Sequence, residues 1–201
     1  MKTTWTTALV GAALLAGCTT GGAADPIRSA SAPPSSAPST SPTTATATTS
    51  AQDAAAAGAE EVLRAYYRSQ TTCLSDPSKA ALTCFDQVAI GTALTDMRNA
   101  LVSAKAVQTR ASGDIDVVSA SATKVDLANS PTKTPPVVPQ VAFQACIDVS
   151  MFNVVDKNGK SIVPADRKPR SVGSVVVANY KYPDPTQWRV AYIVQDKAAT
   201  C

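Results

Sequence analysis

The stretch Val141-Ala142-Phe143-Gln144-Ala145-Cys146-Ile147-Asp148-Val149-Ser150-Met151 decides how this chain folds. Val141, Phe143, Ala145, Ile147, Val149 and Met151 take every second position, the period of a strand with one buried face. Ala142, Gln144, Cys146, Asp148 and Ser150 form the more polar opposite face. Downstream, Asp156-Lys157-Asn158-Gly159 reads as a hairpin turn, with Asn158-Gly159 the pair that best tolerates positive φ. A short return strand is expected at Ser161 to Val163, a longer one from Ser171 to Tyr182, and a last one from Trp188 to Gln195. On that last strand Trp188, Val190, Tyr192 and Val194 share parity. Upstream, Ile115 to Val118 and Ala122 to Leu127 read as two further strands, and the proline-rich 129–139 stretch as a crossing loop.

Before Gly113 the period is helical. Asp53 is placed to cap a helix to about Ser69, with Ala55, Ala59, Val62, Leu63, Tyr66 and Tyr67 on one face. Asp76-Pro77 opens a turn and a short helix through Leu82, ending near Cys84. Thr92 begins a third helix carrying Leu94, Met97, Leu101, Val102 and Lys105, which Gly113 ends. Helices first and a meandering antiparallel sheet after them make an α+β domain.

The N-terminus speaks of location. Lys2 gives a positive start, Ala8 to Leu15 a short apolar run, and Leu15-Ala16-Gly17-Cys18 the small residues and thiol of a bacterial lipoprotein signal. The run is shorter than the roughly 20 residues that span a bilayer. Residues 1–17 are therefore expected to be a removable signal peptide, and Cys18 the lipidated first residue of the mature chain. Each buried methylene of an acyl chain contributes about 0.8 kcal/mol, so two or three chains hold a protein stably. Residues 18–51, built mostly of Thr, Ser, Ala, Pro and Gly, offer too little apolar surface to fold. They read as a disordered tether whose coil would reach on the order of 30 Å. Residues 52–201 have the length of one domain with its own core.

Composition excludes several chemistries. The net charge is +3, which gives no electrostatic reason to bind nucleic acid. The chain has no histidine, so Ser-His-Asp and Cys-His catalysis are excluded and most zinc sites with them. No metal and no cofactor are expected. Apart from Cys18, the cysteines are Cys73, Cys84, Cys146 and Cys201, an even set suited to an oxidising compartment. Of the three connectivities, Cys73 with Cys84 and Cys146 with Cys201 is favoured. The first pair brackets a short loop, and the second pins residue 201 to a central strand.

Ala65-Tyr66-Tyr67-Arg68, the Gly91 to Leu101 segment, Cys146-Ile147-Asp148-Val149 and Gln187-Trp188-Arg189-Val190, in that order of elements, resemble the nuclear transport factor 2-like, or cystatin-like, cone fold. More narrowly, the chain resembles actinobacterial envelope lipoproteins with such a domain. The resemblance covers about residues 52–201. It implies N-terminal helices packed on a strongly bent antiparallel sheet, and between them an apolar pocket lined by Leu63, Tyr66, Phe143, Ala145, Ile147, Val177 and Tyr192.

Some cone-fold enzymes use a buried carboxylate as base. Asp148 is the acid inside a long strand here, but its parity places it on the polar face, and the usual histidine is absent. Asp114 and Asp116 flank Ile115 at strand spacing, and a solvated strand face is the better reading than a cation site. Asp166-Arg167-Lys168-Pro169-Arg170 is a basic loop that a soluble surface explains more simply than a lipid headgroup or wall polymer. The leading reading is a non-enzymatic module, anchored by lipid at the outer face of the cell membrane, that binds an envelope protein or a small apolar ligand. A phage-encoded superinfection-exclusion lipoprotein and a small isomerase or dehydratase using Asp148 are the alternatives.

Overall fold

The computed structural model describes residues 50–196 and 199–201. The signal segment, Cys18 and nearly all of the tether lie outside them. The described residues form an α+β fold with two α-helices and two antiparallel sheets.

Helix α1, Ala51–Ser75, starts two residues before the expected Asp53 and runs six beyond Ser69. Its start is fixed by a capping box. The Ser50 hydroxyl accepts the Asp53 amide at 3.1 Å, and the Asp53 carboxylate reaches back to Ser50. Asp53 is thus the third helical residue, not the N-cap. Ala55, Ala59, Leu63, Tyr66 and Tyr67 are buried along one face. The short helix expected from Asp76-Pro77 through Leu82 is a turn over most of that span, and a 3-10 turn, Leu82–Phe85, follows it. Helix α2, Gly91–Val107, closes on Gln108 in the left-handed region, well before Gly113. Val102 is 52 % exposed, off the buried side.

The main sheet is open and four-stranded, ordered β2 (Asp116–Asp126), β3 (Gln140–Asp148), β5 (Arg170–Asn179), β6 (Trp188–Asp196). The two strands expected at Ile115 to Val118 and Ala122 to Leu127 are one strand, β2, interrupted by bulges. Each bulge shifts side-chain parity, which hides the continuity from a strict period of two. Strand β1 (Arg110–Ser112) and strand β4 (Asn153–Val155) form a separate two-stranded ribbon. Strand β3 ends at Asp148, and Met151 is 76 % exposed in the following turn. The expected return strand Ser161 to Val163 reduces to a single bridge between Ser161 and Val155. In the hairpin turn Gly159 alone has positive φ. The Asp156 carboxylate accepts the Asn158 and Lys160 amides and holds the rest of the turn right-handed.

Helix α1 lies on one face of the main sheet, touching all four strands, and α2 packs beside it on β6. Their shared core includes Leu63, Tyr66, Val141, Phe143, Ile147, Val177, Trp188 and Val190. Burying side chains of this size contributes about 1.5–3 kcal/mol each. Gly58 lets α1 approach the Trp188 indole, because an added β-carbon would already stand 3.4 Å from its Cδ1. A smaller cluster of Cys73, Phe85 and Leu101 joins α1, the 3-10 turn and α2. Two disulfides brace the fold. Cys73–Cys84 ties the end of α1 to the 3-10 turn, and Cys146–Cys201 ties residue 201 to β3.

Candidate functional site

Six of the residues assigned to an apolar pocket are brought together, but inside the core. Leu63, Tyr66, Phe143, Ala145, Ile147 and Val177 are 0 to 3 % exposed and belong to one packed cluster. Tyr66 and Tyr67 meet edge to face with centroids 5.3 Å apart. The Tyr67 hydroxyl is buried near the Gln195 amide without a hydrogen bond of good geometry. Burial pushes its pKa up to about 12, and the nearby Gln195 acts in the opposite sense.

Tyr192 does not join this set. Val177 pairs with Val190 and Val176 with Tyr192, so Ala191 is an extra residue in β6. This bulge reverses parity: Val190 faces α1, whereas Tyr192 and Val194 face away from the helices and are 48 % and 46 % exposed. Strict alternation from Trp188 had put all four on one side.

Asp148 is tied up in the surface structure. Its carboxylate accepts the Ser150 amide at 2.8 Å and the Arg170 guanidinium at 2.8 Å. Hydrogen bonds from Ser150, followed by that from Arg170, hold its pKa down at about 2. Asp116 lies directly across from it on β2, exposed. The basic loop is likewise engaged. Arg167 donates to the carbonyls of Val149 and Phe152 at 2.7 and 2.6 Å, and Arg170 holds Asp148. Among the described residues no group of three or more acidic or cysteine side chains is placed to hold a metal ion.

A cleft rich in hydrogen-bonding groups lies elsewhere, where α2 meets β6. It has a volume of about 620 Å³ and is lined by residues of three segments, Asp86 to Gly91, Tyr180 to Lys181 and Gln187 to Ala191. Each wall has a local cause. Val88 and Ile90 run alongside β6, bonded to both backbone groups of Val190 at 2.9 Å. Gly91, with φ +56°, then turns the chain into α2, and a β-carbon there would crowd the Ala191 carbonyl at 3.3 Å. The opposite wall hangs on buried Asn179, whose amide donates to the Asp184 carbonyl at 2.7 Å while its oxygen accepts the Lys181 amide at 2.9 Å. That turn leaves Tyr180 61 % exposed at the rim.

Arg189 also lines the cleft. It donates to the carbonyls of Asp86, Thr186 and Trp188 and to the Gln87 side chain, at 2.7 to 3.3 Å. Partial burial lowers its pKa from the free value, but an arginine stays charged at any physiological pH. Asp86 is held by Arg98 at 2.7 Å. Neither Arg189 nor Lys181 forms an ion pair among the described residues. The cleft therefore carries an excess of positive charge and a mixture of donors and acceptors. In a second cleft, between the ends of the two helices, Asp76 pairs with Lys79 and Lys105 donates to the Ala80 carbonyl.

No protein-family model matches the chain, and no curated protein matches it. Among solved structures it is similar to the intermembrane-space region of the chloroplast protein ARC6, at 11 % identity, covering 70 % of this chain and 95 % of that one, with a TM-score of 0.45.

Sequence reasoning had passed over Asp86, Gln87, Tyr180, Lys181 and Arg189 as site residues. The signals were partial. Gly91 broke a pattern and Gln187-Trp188-Arg189-Val190 stood out, but their meeting depends on the run of Val88 to Ile90 beside β6, which no period announces.

Proposed function

We propose that the chain is a non-catalytic binding module, held at the outer face of the cell membrane by lipid on Cys18 and presenting its ligand cleft on a tether. The observation that carries the non-catalytic part is the state of Asp148. With its pKa near 2 and its oxygens engaged by Ser150 and Arg170, it is too weak a base to take a proton from carbon at neutral pH. The cleft at α2 and β6 offers fixed hydrogen-bonding groups and charge, the elements of recognition. A cone-type domain is the finer reading of the fold. What supports it is α1 lying across one sheet face and the bulges in β2 and β6, which bend the strands that carry them.

The test places a photocrosslinking residue at position 180 of the full chain in cells and another at Val118, on the opposite edge strand. The binding reading expects capture of an envelope component from position 180 and none from position 118. Equal capture from both, or none from either, overturns the cleft as the binding site.

A further inference from the structure

We infer that the ligand of this cleft is a sugar bearing a carboxylate. The inference rests on the cleft being the binding site and goes on to name the chemistry that it takes. A sugar ring presents an apolar C–H face and a rim of hydroxyls, each of which both donates and accepts. The cleft is built to match. Tyr180 stands 61 % exposed at its edge and offers a flat apolar surface of ring size. Around it are Asp86, Gln87 and Gln187, whose carboxylate and amide groups supply acceptors and donors for hydroxyls. One oxygen of Asp86 is taken by Arg98, which leaves the other for a ligand. A volume of about 620 Å³ falls in the range of small-ligand sites.

Charge selects the acidic member of this class. Arg98 neutralises Asp86, and Asp184 acts on both Lys181 and Arg189, so these two cations leave the cleft with one positive charge in excess. Arg189 spends its hydrogen bonds on neutral groups, three carbonyls and the Gln87 side chain. It is fixed in place before a ligand arrives, which lowers the ordering cost of binding. A guanidinium so held attracts a carboxylate, and Lys181 at the rim adds a second, movable cation. Gly91, one of the lining residues, adds no side chain to this space.

Isothermal titration of the full chain in detergent, at low salt, with glucuronate and N-acetylmuramate against glucose and N-acetylglucosamine, tests the inference. The acidic sugars should bind at least tenfold more tightly than their neutral counterparts, and Tyr180→Ala and Lys181→Ala should each weaken them at least fivefold. Both side chains are exposed, so neither variant endangers folding. Inorganic phosphate is the control for a bare anion site. Phosphate binding as tight as that of the acidic sugars, equal affinity for acidic and neutral sugars, or an unaffected Tyr180→Ala would overturn the inference. Capture from position 180 without any binding of acidic sugars would leave the cleft as a binding site and remove the sugar. An oligomer of the same acidic unit that binds more tightly than the monomer would identify a polymer as the source, and equal binding a free sugar.

Discussion

The carbonyl group of Met151 stands against the α-carbon of Gly113, in the space that a β-carbon would need. Gly113 also has φ +73°, so two independent constraints exclude a side chain. This contact sets the turn after β3 against the chain leaving β1. Gly113→Ala should therefore lower stability by more than about 2 kcal/mol. Chemical denaturation of the variant checks it, with Gly159→Ala as the contrast, since Gly159 has positive φ but open space around it.

Acid should act through Asp148 in a defined direction. Its folded pKa is depressed to about 2, so its contribution is complete above the unfolded value near 3.9 and is lost as the pH falls through 2. Asp148→Asn should be less stable than the parent at pH 7, and the two should converge toward pH 2. Melting curves between those limits test this. A gap that widens in acid would contradict the pairing with Arg170.

The core and the outer sheet face should answer differently to the same kind of substitution. Leu63→Ala should cost about 2–5 kcal/mol, as for a fully buried side chain whose space does not collapse. Tyr192→Ala, on the exposed side of the β6 bulge, should cost less than about 1 kcal/mol. Denaturant midpoints of the two variants measure the contrast. Similar losses at both would mean that Tyr192 is buried against something in solution.

The disulfides should rank by the loops they close. Their sequence separations are 11 and 55, and the loop-entropy model gives contributions of about 3 and about 4 kcal/mol. Replacing Cys146 and Cys201 together by Ala should lower the melting temperature more than replacing Cys73 and Cys84.

Lipidation of Cys18 is tested by Cys18→Ser, which should move the chain from the detergent phase to the aqueous phase or leave the precursor uncut. Unchanged detergent partitioning of the variant would refute the anchor.

What the sequence revealed of this fold was what local periodicity carries. Val141 to Ile147 alternate, and β3 is the strand they specify. Ala55 to Tyr67 recur at helical spacing, and α1 buries them. Periodicity failed where one residue was inserted or where a side chain replaced a backbone partner. The bulges in β2 divided one strand into two on paper, and Ala191 sent Tyr192 to the far side of the sheet. Asp53 is so good an N-cap residue that the sequence places the cap one turn too late, whereas Ser50 holds that place and uses Asp53 as its partner. The disulfide connectivity was legible because loop length is a sequence property. The cleft was not, since Asp86 and Arg189 meet across more than a hundred residues.

The extra residue at Ala191 gives β6 two audiences. Before it, Trp188 and Val190 answer to the helices; after it, Ile193 turns inward while Tyr192 and Val194 look outward. One strand therefore carries two independent sets of demands, joined at a residue that belongs to neither. A library of substitutions along 188–196 should show tolerance that alternates in one phase up to 190 and in the other from 192. Deleting Ala191 would bring the phases together and thrust Tyr192 and Val194 into a core that has no room for them.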